Sequence, residues 1–599
     1  MASHKLAWKG FVCALLGAGY VWSQVTTGTI SGTVEDSTGA VLPNATVVVR
    51  NTETGVSRTV QSDSAGRYRA PNLSLGAYEV EGSLAGFQTE VRRGITLTVG
   101  REAVVNLSLR VGTVAESVEV TGEAPLVDTT SASMSFLVDD KKIRDLPLNG
   151  RNYTQLAILQ PGVTPYKLYG DNLSVGHGQG LSIAGARVDQ NSFLMDGQDI
   201  TDYAGRTPGS VTGSNLGVDA IREFSVLSGS YSAEYGLVSG GVMNVVTNSG
   251  TNQLHGSAFE FLRNDNLDAK NFFDPARAPI PPFKRNQFGG TISGPIKRDR
   301  MFFLGAYEGL RERLGLTKSS PVPNERAHAG YLPDPNCPAG CGAGARPGEN
   351  FIGISPLMRH RMDIYPFPNG QDFSDGTALL TSNPNSPSRD DYVMGRVDYQ
   401  VNDNNSLFGR YTFDHATTEL PEDIPFFIYT KRSRYQYALI SLTSILSATT
   451  VNEARIGFNR SIAALGGKSN FALCADLNNC PQLGIVKGLP LVTAWSIRSP
   501  SITGGMGGGH LSEVPRRFAM NTFEFADNIS HTKGSHTLKT GAVYRRYYAN
   551  PRNNFGLSSG LIFNTLREFM QGNPIQISGQ DIDSQYSWQQ SLFGWFVQD

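Results

Sequence analysis

From Gln253 to Asp599 the sequence is a series of short segments in which polar and apolar residues alternate, joined in strict turn by a short connection and a long one. Gln253–Leu262 is followed by a long, Pro-rich loop. Gln287–Gly294 and Met301–Leu310 are joined by the short turn Lys297-Arg-Asp-Arg300, and a long loop then runs to about Asp390. Val393, Gly395, Val397 and Tyr399 precede the tight turn Asn402-Asp-Asn-Asn405, and Leu407, Gly409, Tyr411 and Phe413 follow it; Arg396, Asp398, Arg410 and Asp414 fall on the opposite face. Tyr435–Leu446 and Glu453–Asn459 close over Ala448-Thr-Thr450, and Thr522–Ile529 and Thr537–Tyr547 close over Lys533-Gly534. Ser591–Asp599 is the last strand. Successive side chains of a strand point to opposite faces, so each segment has one apolar and one polar side. Apolar-out, polar-in hairpins with short turns at one rim and long loops at the other are what a membrane β-barrel requires. In lipid every backbone polar group must find a partner, so such a sheet must close on itself.

A helical membrane span is excluded by the slightly polar mean hydropathy of −0.23 and by the lack of a run of about 20 apolar residues after the N-terminal region. Lys plus Arg (52) nearly cancels Asp plus Glu (53), so no basic field points to nucleic acid. The first residues carry a secretory signature: Lys5 and Lys9, then the apolar run Phe11–Val21, then Val21-Trp22-Ser23 before a cut at Gln24. Cys13 leaves with that signal. The remaining cysteines form two close couples, Cys337 with Cys341 and Cys474 with Cys480, expected as loop disulfides in an exported protein. No CxxC spacing supports zinc.

Between signal and barrel lie two further units. Ile30–Val34, Ala45–Arg50, Arg67–Arg69, Ala77–Glu81 and Val104–Leu109 are expected strands, separated by the turn clusters Asp36–Gly39, Asp63–Gly66, Leu75-Gly76 and Ala85-Gly86. Their spacing predicts a small β-sandwich. The run GTVEDSTGAVLPNATV followed by DSAGRYRAPNLSLGAYEVEGSLAGFQ resembles the carboxypeptidase regulatory-like domain, a transthyretin-like fold. After it the chain becomes extended and acidic, GTVAESVEVTGEAPL, and such a peptide is able to add as a strand to another protein's sheet edge. Asp139–Gly162 holds an expected short helix broken at Pro147.

Leu181–Asn248 alternates short apolar runs with the turns Asp196-Gly197, Ser228-Gly229 and Gly240-Gly241. LSIAGARVDQNSFLMDGQDITD and IREFSVLSGSYSAEYGLVSGGVMNVVTNSGT resemble the two signature segments of the plug domain of TonB-dependent outer-membrane receptors. Glu223, Gly229, Ser232, Tyr235, Gly236, Gly240, Gly241, Asn244 and Thr247 fall in register, while Ala184-Gly185 and Ser230 depart from the usual Arg-Gly and Pro.

The resemblance implies an energy-coupled receptor of Oar-like domain order, exported to the outer membrane of a Gram-negative bacterium with its N-terminal domains periplasmic. By position, Glu116, Ser117, Val118, Glu119, Val120 and Thr121 correspond to the TonB box, which an inner-membrane TonB-type protein would pull. The implied partners are that protein, outer-membrane lipid and a small solute or oligomeric nutrient, with no cofactor and no enzymatic activity.

The expected fold is mostly β: a signal at 1–23, a sandwich at 24–111, a TonB-box-like linker at 112–126, an α+β plug at 127–251, and a partial antiparallel barrel at 252–599. About ten strands are legible, against about 22 in the largest plugged barrels. The expectation is therefore an N-terminal fragment or truncated frame. The rival expectation is an outer-membrane adhesion or carbohydrate-binding protein, with Tyr68, Tyr78 and Phe87 of the sandwich as candidate glycan contacts.

Enzyme motifs fail on inspection. His510 with Glu513 is the one His-x-x-Glu pair, and no His beyond His536 completes a zinc protease site. Gly467-Lys468-Ser469 lacks the leading glycine of a nucleotide loop. Gly556–Gly560 precedes an alternating run where a nucleophile elbow would need a helix.

Overall fold

The computed structural model describes residues 27–112, 117–121, 133–146, 148–166, 178, 180–213, 216–236, 238–270, 280–424, 427–469, 491–498, 506–509, 516–534, 536–553, 558–578 and 584–599. The export signal, Glu116, Cys474, Cys480, the His510–Glu513 pair and Gly556 lie outside them.

The N-terminal unit is a sandwich of two sheets. One orders the strands Arg67–Leu73, Gly28–Asp36 and Glu102–Val104, with Leu107–Leu109 also on Gly28–Asp36. The other orders Ser57–Gln61, Thr46–Asn51, Gly76–Ser83, Thr89–Leu97 and Ser117–Thr121. Alternate residues of each strand fill the core (Ile30, Val34, Val47, Val49, Val80, Leu107), as period-two patterning demands. The expected single strand Val104–Leu109 is split in two. Asn106 turns its side chain to accept the amide of Thr33 at 3.0 Å, which interrupts the ladder. Tyr68 and Tyr78 are not glycan platforms: both are 3% exposed, and their hydroxyls donate to the carbonyls of Val105 and Ser74. Phe87 packs against the same core.

The next unit has a five-stranded mixed sheet in the order Met134–Val138, Ile221–Gly229, Val242–Thr247, Ser192–Met195, Gln198–Asp199. The expected helix is the short Asp140–Asp145 segment, capped by Asp139, whose side chain accepts the Lys142 amide at 2.9 Å. Two 3₁₀ turns, Asn149–Arg151 and Tyr153–Leu159, continue it beyond Pro147.

The largest unit is an antiparallel sheet of eleven strands, ten of them long, from His255–Asn264 to Trp588–Gln598. Each long strand pairs with its sequence neighbour within this sheet. Among the described residues the first and last strands do not pair with each other. The two faces differ as the alternation demands: Ile440 and Ile456 sit opposite each other and are exposed, whereas Leu439, Ser441, Glu453 and Arg455 are buried against the plug side.

The long loops fold into a structured cap. Residues 316–384 contain two helices, Glu325–His328 and Pro356–Ile364, and two small ladders. They share one apolar core with other loops, through Met358, Met362, Tyr365, Trp495, Phe563 and Phe569. Cys337 and Cys341 are joined in this cap, with Cα atoms 5.5 Å apart.

Candidate functional site

The plug meets the barrel wall through apolar contacts, such as Leu216 and Ala220 with Leu304 and Leu310, and through polar ones whose centre is the Asp196-Gly197 turn. This hairpin turn needs positive φ at both residues (49° and 76°), which Asp tolerates and Gly accepts freely. Gly197 is also held by space, because a Cβ there would meet the guanidinium of Arg455. Asp196 is 1% exposed. Its carboxylate accepts the amide and hydroxyl of Thr247 at 2.9 and 2.8 Å. From the wall it accepts Arg410 and, at 3.4 Å, Arg396. Arg410 also donates to Gln198 at 2.7 Å, and Gln198 donates to the carbonyls of Ala438 and Phe458 at 3.0 and 2.9 Å. Burial alone would raise the Asp196 carboxyl, but Arg410, Arg396 and Thr247 outweigh it and hold it below the usual carboxylate range.

Three further contacts surround this one. Arg151 of the plug bonds Asp219 at 2.6 Å and reaches Glu308 of the wall at 3.1 Å, stacking over Phe259. Glu308 also accepts the Gly217 amide at 2.9 Å. Asp199 pairs with Arg545 at 2.9 Å, itself paired with Glu524. Ser210 and Thr212 donate to Asp390 at 2.5 and 2.9 Å. These are ion pairs and hydrogen bonds to carboxylates, and a hydrogen bond to a charged group contributes about 1.5–3 kcal/mol.

Sequence patterning put Arg396, Asp398, Arg410 and Asp414 on the polar face, and the structure turns that face to the plug. Asp196 and Arg151 were not singled out. The Asp-Gly turn was a signal for the former, but no local feature marks Arg151.

On the short-turn side the sandwich docks against the plug and the first turns of the wall. Glu223 accepts the Val99 amide, Arg222 pairs with Glu53 at 3.3 Å, and the Asn252 amide donates to the Glu53 carbonyl at 3.0 Å. Burial raises the Glu223 carboxyl to about 7, against the opposing effect of the Val99 amide. Ser117, Val118, Glu119, Val120 and Thr121 form the last strand of the five-stranded sheet, paired in parallel with Thr89–Arg93.

Comparison with known proteins bears on this geometry. Residues 246–599, more than half of the chain, match the outer membrane beta barrel domain family. Residues 126–242 match the TonB-dependent receptor plug domain, and 29–110 the carboxypeptidase regulatory-like domain. The chain belongs to the TonB-dependent receptor family of outer-membrane β-barrels. Its domain order is Oar-like, and its place is the outer membrane of a Gram-negative bacterium. It is 30% identical over 294 residues to the TonB-dependent transporter Oar of Myxococcus xanthus, a match covering 47% of this chain and 26% of that protein. The chain thus spans about a quarter of the length of that curated relative. Among solved structures it is similar to the outer-membrane transporter YddB from Escherichia coli, with 12% identity and a TM-score of 0.47 over 78% of this chain and 54% of that one. It is also similar to the siderophore receptor PirA from Acinetobacter baumannii, with 12% identity and a TM-score of 0.40 over 72% of this chain and 50% of that one.

Proposed function

We propose that this receptor serves energy-coupled uptake of a scarce solute, of siderophore, vitamin, carbohydrate or peptide class. The loop cap would capture the solute on the outside, and a TonB-type protein of the inner membrane would pull residues 116–121 from the periplasm. The observation that supports this reading is the polar seam between plug and wall. Contacts centred on Asp196, Glu308, Asp199 and Asp390 are polar groups that water can satisfy as the plug shifts, so that a directed pull is able to open a path. The strand Ser117–Thr121 lies upstream of the plug strand Met134–Val138, so tension on it is delivered to the edge of the plug sheet. Release of a tethered segment is an established route by which a fold transmits such a signal.

The test is deletion of Val114–Thr121 from the full-length protein. Uptake is lost while surface binding of the solute is retained; unchanged uptake refutes the proposal.

A further inference from the structure

The outer face of the wall carries a row of arginines above its apolar belt. The register sets Arg389 opposite Thr417, Thr417 opposite Arg432, Arg432 opposite Ala464, Ala464 opposite Arg517, and Arg517 opposite Arg552. Residues an even number of positions apart along a strand share a face. Arg389 thus shares the face of Val393, Arg432 that of Ile440, and Arg517 that of Phe523, and these three apolar side chains are exposed. The plug-facing residues Asp390, Ser433 and Thr522 occupy the opposite positions and are buried. The row therefore points away from the lumen, off any path through the barrel, and Arg389, Thr417, Arg432 and Arg517 are themselves exposed.

Arg389, Arg432, Arg517 and Arg552 line one open depression of about 720 Å³. Ala464 stands between Arg432 and Arg517, and Gly466 stands opposite Thr430, so small side chains leave room between the cations. Lys431 and Arg516 also border it, from the intervening positions. Glu419 is the carboxylate of this lining, and it is already held by Lys468 at 2.7 Å. Arg389 is paired with Asp391 at 2.7 Å. Among the described residues no ion pair reaches Arg432 or Arg517. Like charges gathered this closely repel unless an anion lies among them. Their height matters as much as their charge. Val393 pairs with Phe413 in the last apolar rank of the belt, and the Arg389–Thr417 rank lies four residues nearer the long loops. That is about 13 Å along a strand, or about 10 Å of height at a tilt of about 40°. The headgroup layer extends about 5–8 Å beyond the hydrocarbon, and long arginine side chains are able to reach down to it.

We infer that this depression binds the phosphate-bearing headgroup of an outer-leaflet lipid. The guanidinium fork matches phosphate oxygens in a bidentate way, and Arg432 and Arg517 flank the Ala464 position from either side. The hydroxyls of Thr417 and Thr430, which border the same depression, are further donors to phosphate oxygens. The occupant is a lipid, not a diffusing solute, because the site opens on the lipid-facing side at headgroup height and is turned away from the lumen. A headgroup seated there bridges neighbouring strands on their outer side, above the belt, where the hydrophobic match to the bilayer no longer holds them. The inference rests on the membrane placement of the barrel and is independent of which solute is carried.

The test uses the full-length protein in phosphatidylcholine nanodiscs doped with diphosphorylated lipid A, and native mass spectrometry counts the lipid A retained on release. The wild type retains lipid A in preference to phosphatidylcholine, and retains less of it as salt rises. Each cation near an anionic lipid surface is worth roughly fivefold in affinity, so Arg432→Gln combined with Arg517→Gln weakens retention by roughly thirtyfold. Lys297→Gln combined with Arg298→Gln removes two exposed cations of the short-turn rim and leaves retention unchanged. Equal retention in the wild type and the Arg432/Arg517 variant, or an equal loss in the Lys297/Arg298 variant, overturns the inference. So does displacement of lipid A by free inorganic phosphate, since the site would then serve a soluble anion. Should the Arg432/Arg517 variant fail to insert, Ala464→Glu decides, because it sets a negative charge between the two arginines: lost retention supports the site, and unchanged retention refutes it.

Discussion

Replacing Asp196 by asparagine removes the charge at the centre of the plug–wall seam while keeping a residue that tolerates the left-handed backbone of the turn (φ 49°). The Arg410 side chain opposite is 0% exposed, so its guanidinium is left desolvated, with Gln198 still accepting from it at 2.7 Å. Breaking one side of a buried pair costs about 3–5 kcal/mol. Gln198 offsets part of this, so a loss of about 3 kcal/mol of plug stability is expected, or roughly two decades in the opening equilibrium. Hydrogen exchange of the Val242–Thr247 amides reads that opening directly, because Thr247 donates its amide to Asp196 at 2.9 Å. Arg410→Met alone should destabilise the plug similarly. The double variant should cost much less than the sum of the two, because neither member of the pair is left uncompensated. Exchange in the barrel strands should not change. The wild-type plug should also loosen in acid. The Asp196 carboxyl is depressed in the folded state, so its contribution is complete above the ordinary value of 3.8 and is lost as pH falls through the lower folded value. Strictly additive single variants, or a single-variant effect below about 0.5 kcal/mol, would refute the assignment of Asp196–Arg410 as a coupled latch.

Three other outcomes are expected. The sandwich–plug contact should weaken as pH rises. The Glu223 carboxyl is raised from 4.5 to about 7 in the folded state, so the folded form binds the extra proton, and up to about 3 kcal/mol is lost between those values. Glu223→Gln should flatten that profile, as monitored by cross-linking of the sandwich to the plug. Trp495→Ala, which removes a 3% exposed ring and its 2.7 Å bond to Tyr365, should cost the loop cap about 3–5 kcal/mol. Limited proteolysis would then cut within 316–384 while the barrel strands stay intact. Reduction of the Cys337–Cys341 bond, which closes a loop of separation 4, should destabilise that loop by no more than about 2 kcal/mol, visible as faster exchange in 331–351 alone.

All ten long strands were legible in the sequence, because alternation is enforced wherever one face meets lipid. Their lengths were not. The Val393–Tyr399 segment belongs to a strand running Asn385–Asn402. Above the apolar belt the ladder continues through Arg389, Asp390 and Asp391, where both faces are polar and no period survives. The plug turns were readable because Asp196-Gly197 demands an unusual backbone. The cap was invisible. Its core joins Met362, Trp495, Phe563 and Phe569 from separate loops, and residues that meet only in three dimensions leave no period in one. The polar face of the wall could be assigned from Arg396 and Arg410, but their partners could not, since pairing with Asp196 depends on how deeply the plug sits. Ser117–Thr121 was read as an extended peptide with a capacity to join a sheet. That it joins the chain's own sandwich follows from the exposed edge of Thr89–Leu97, which is a tertiary fact.

The most direct test of the central claim is mechanical. The full-length protein is inserted in a bilayer and pulled by single-molecule force spectroscopy from a handle placed at Thr121. A polar, water-exchangeable seam predicts that plug residues 133–247 yield first, in a low-force event that Arg410→Met lowers further, while the barrel strands remain in the membrane. Extraction of barrel strands together with the plug, or a plug event insensitive to Arg410→Met, would contradict it.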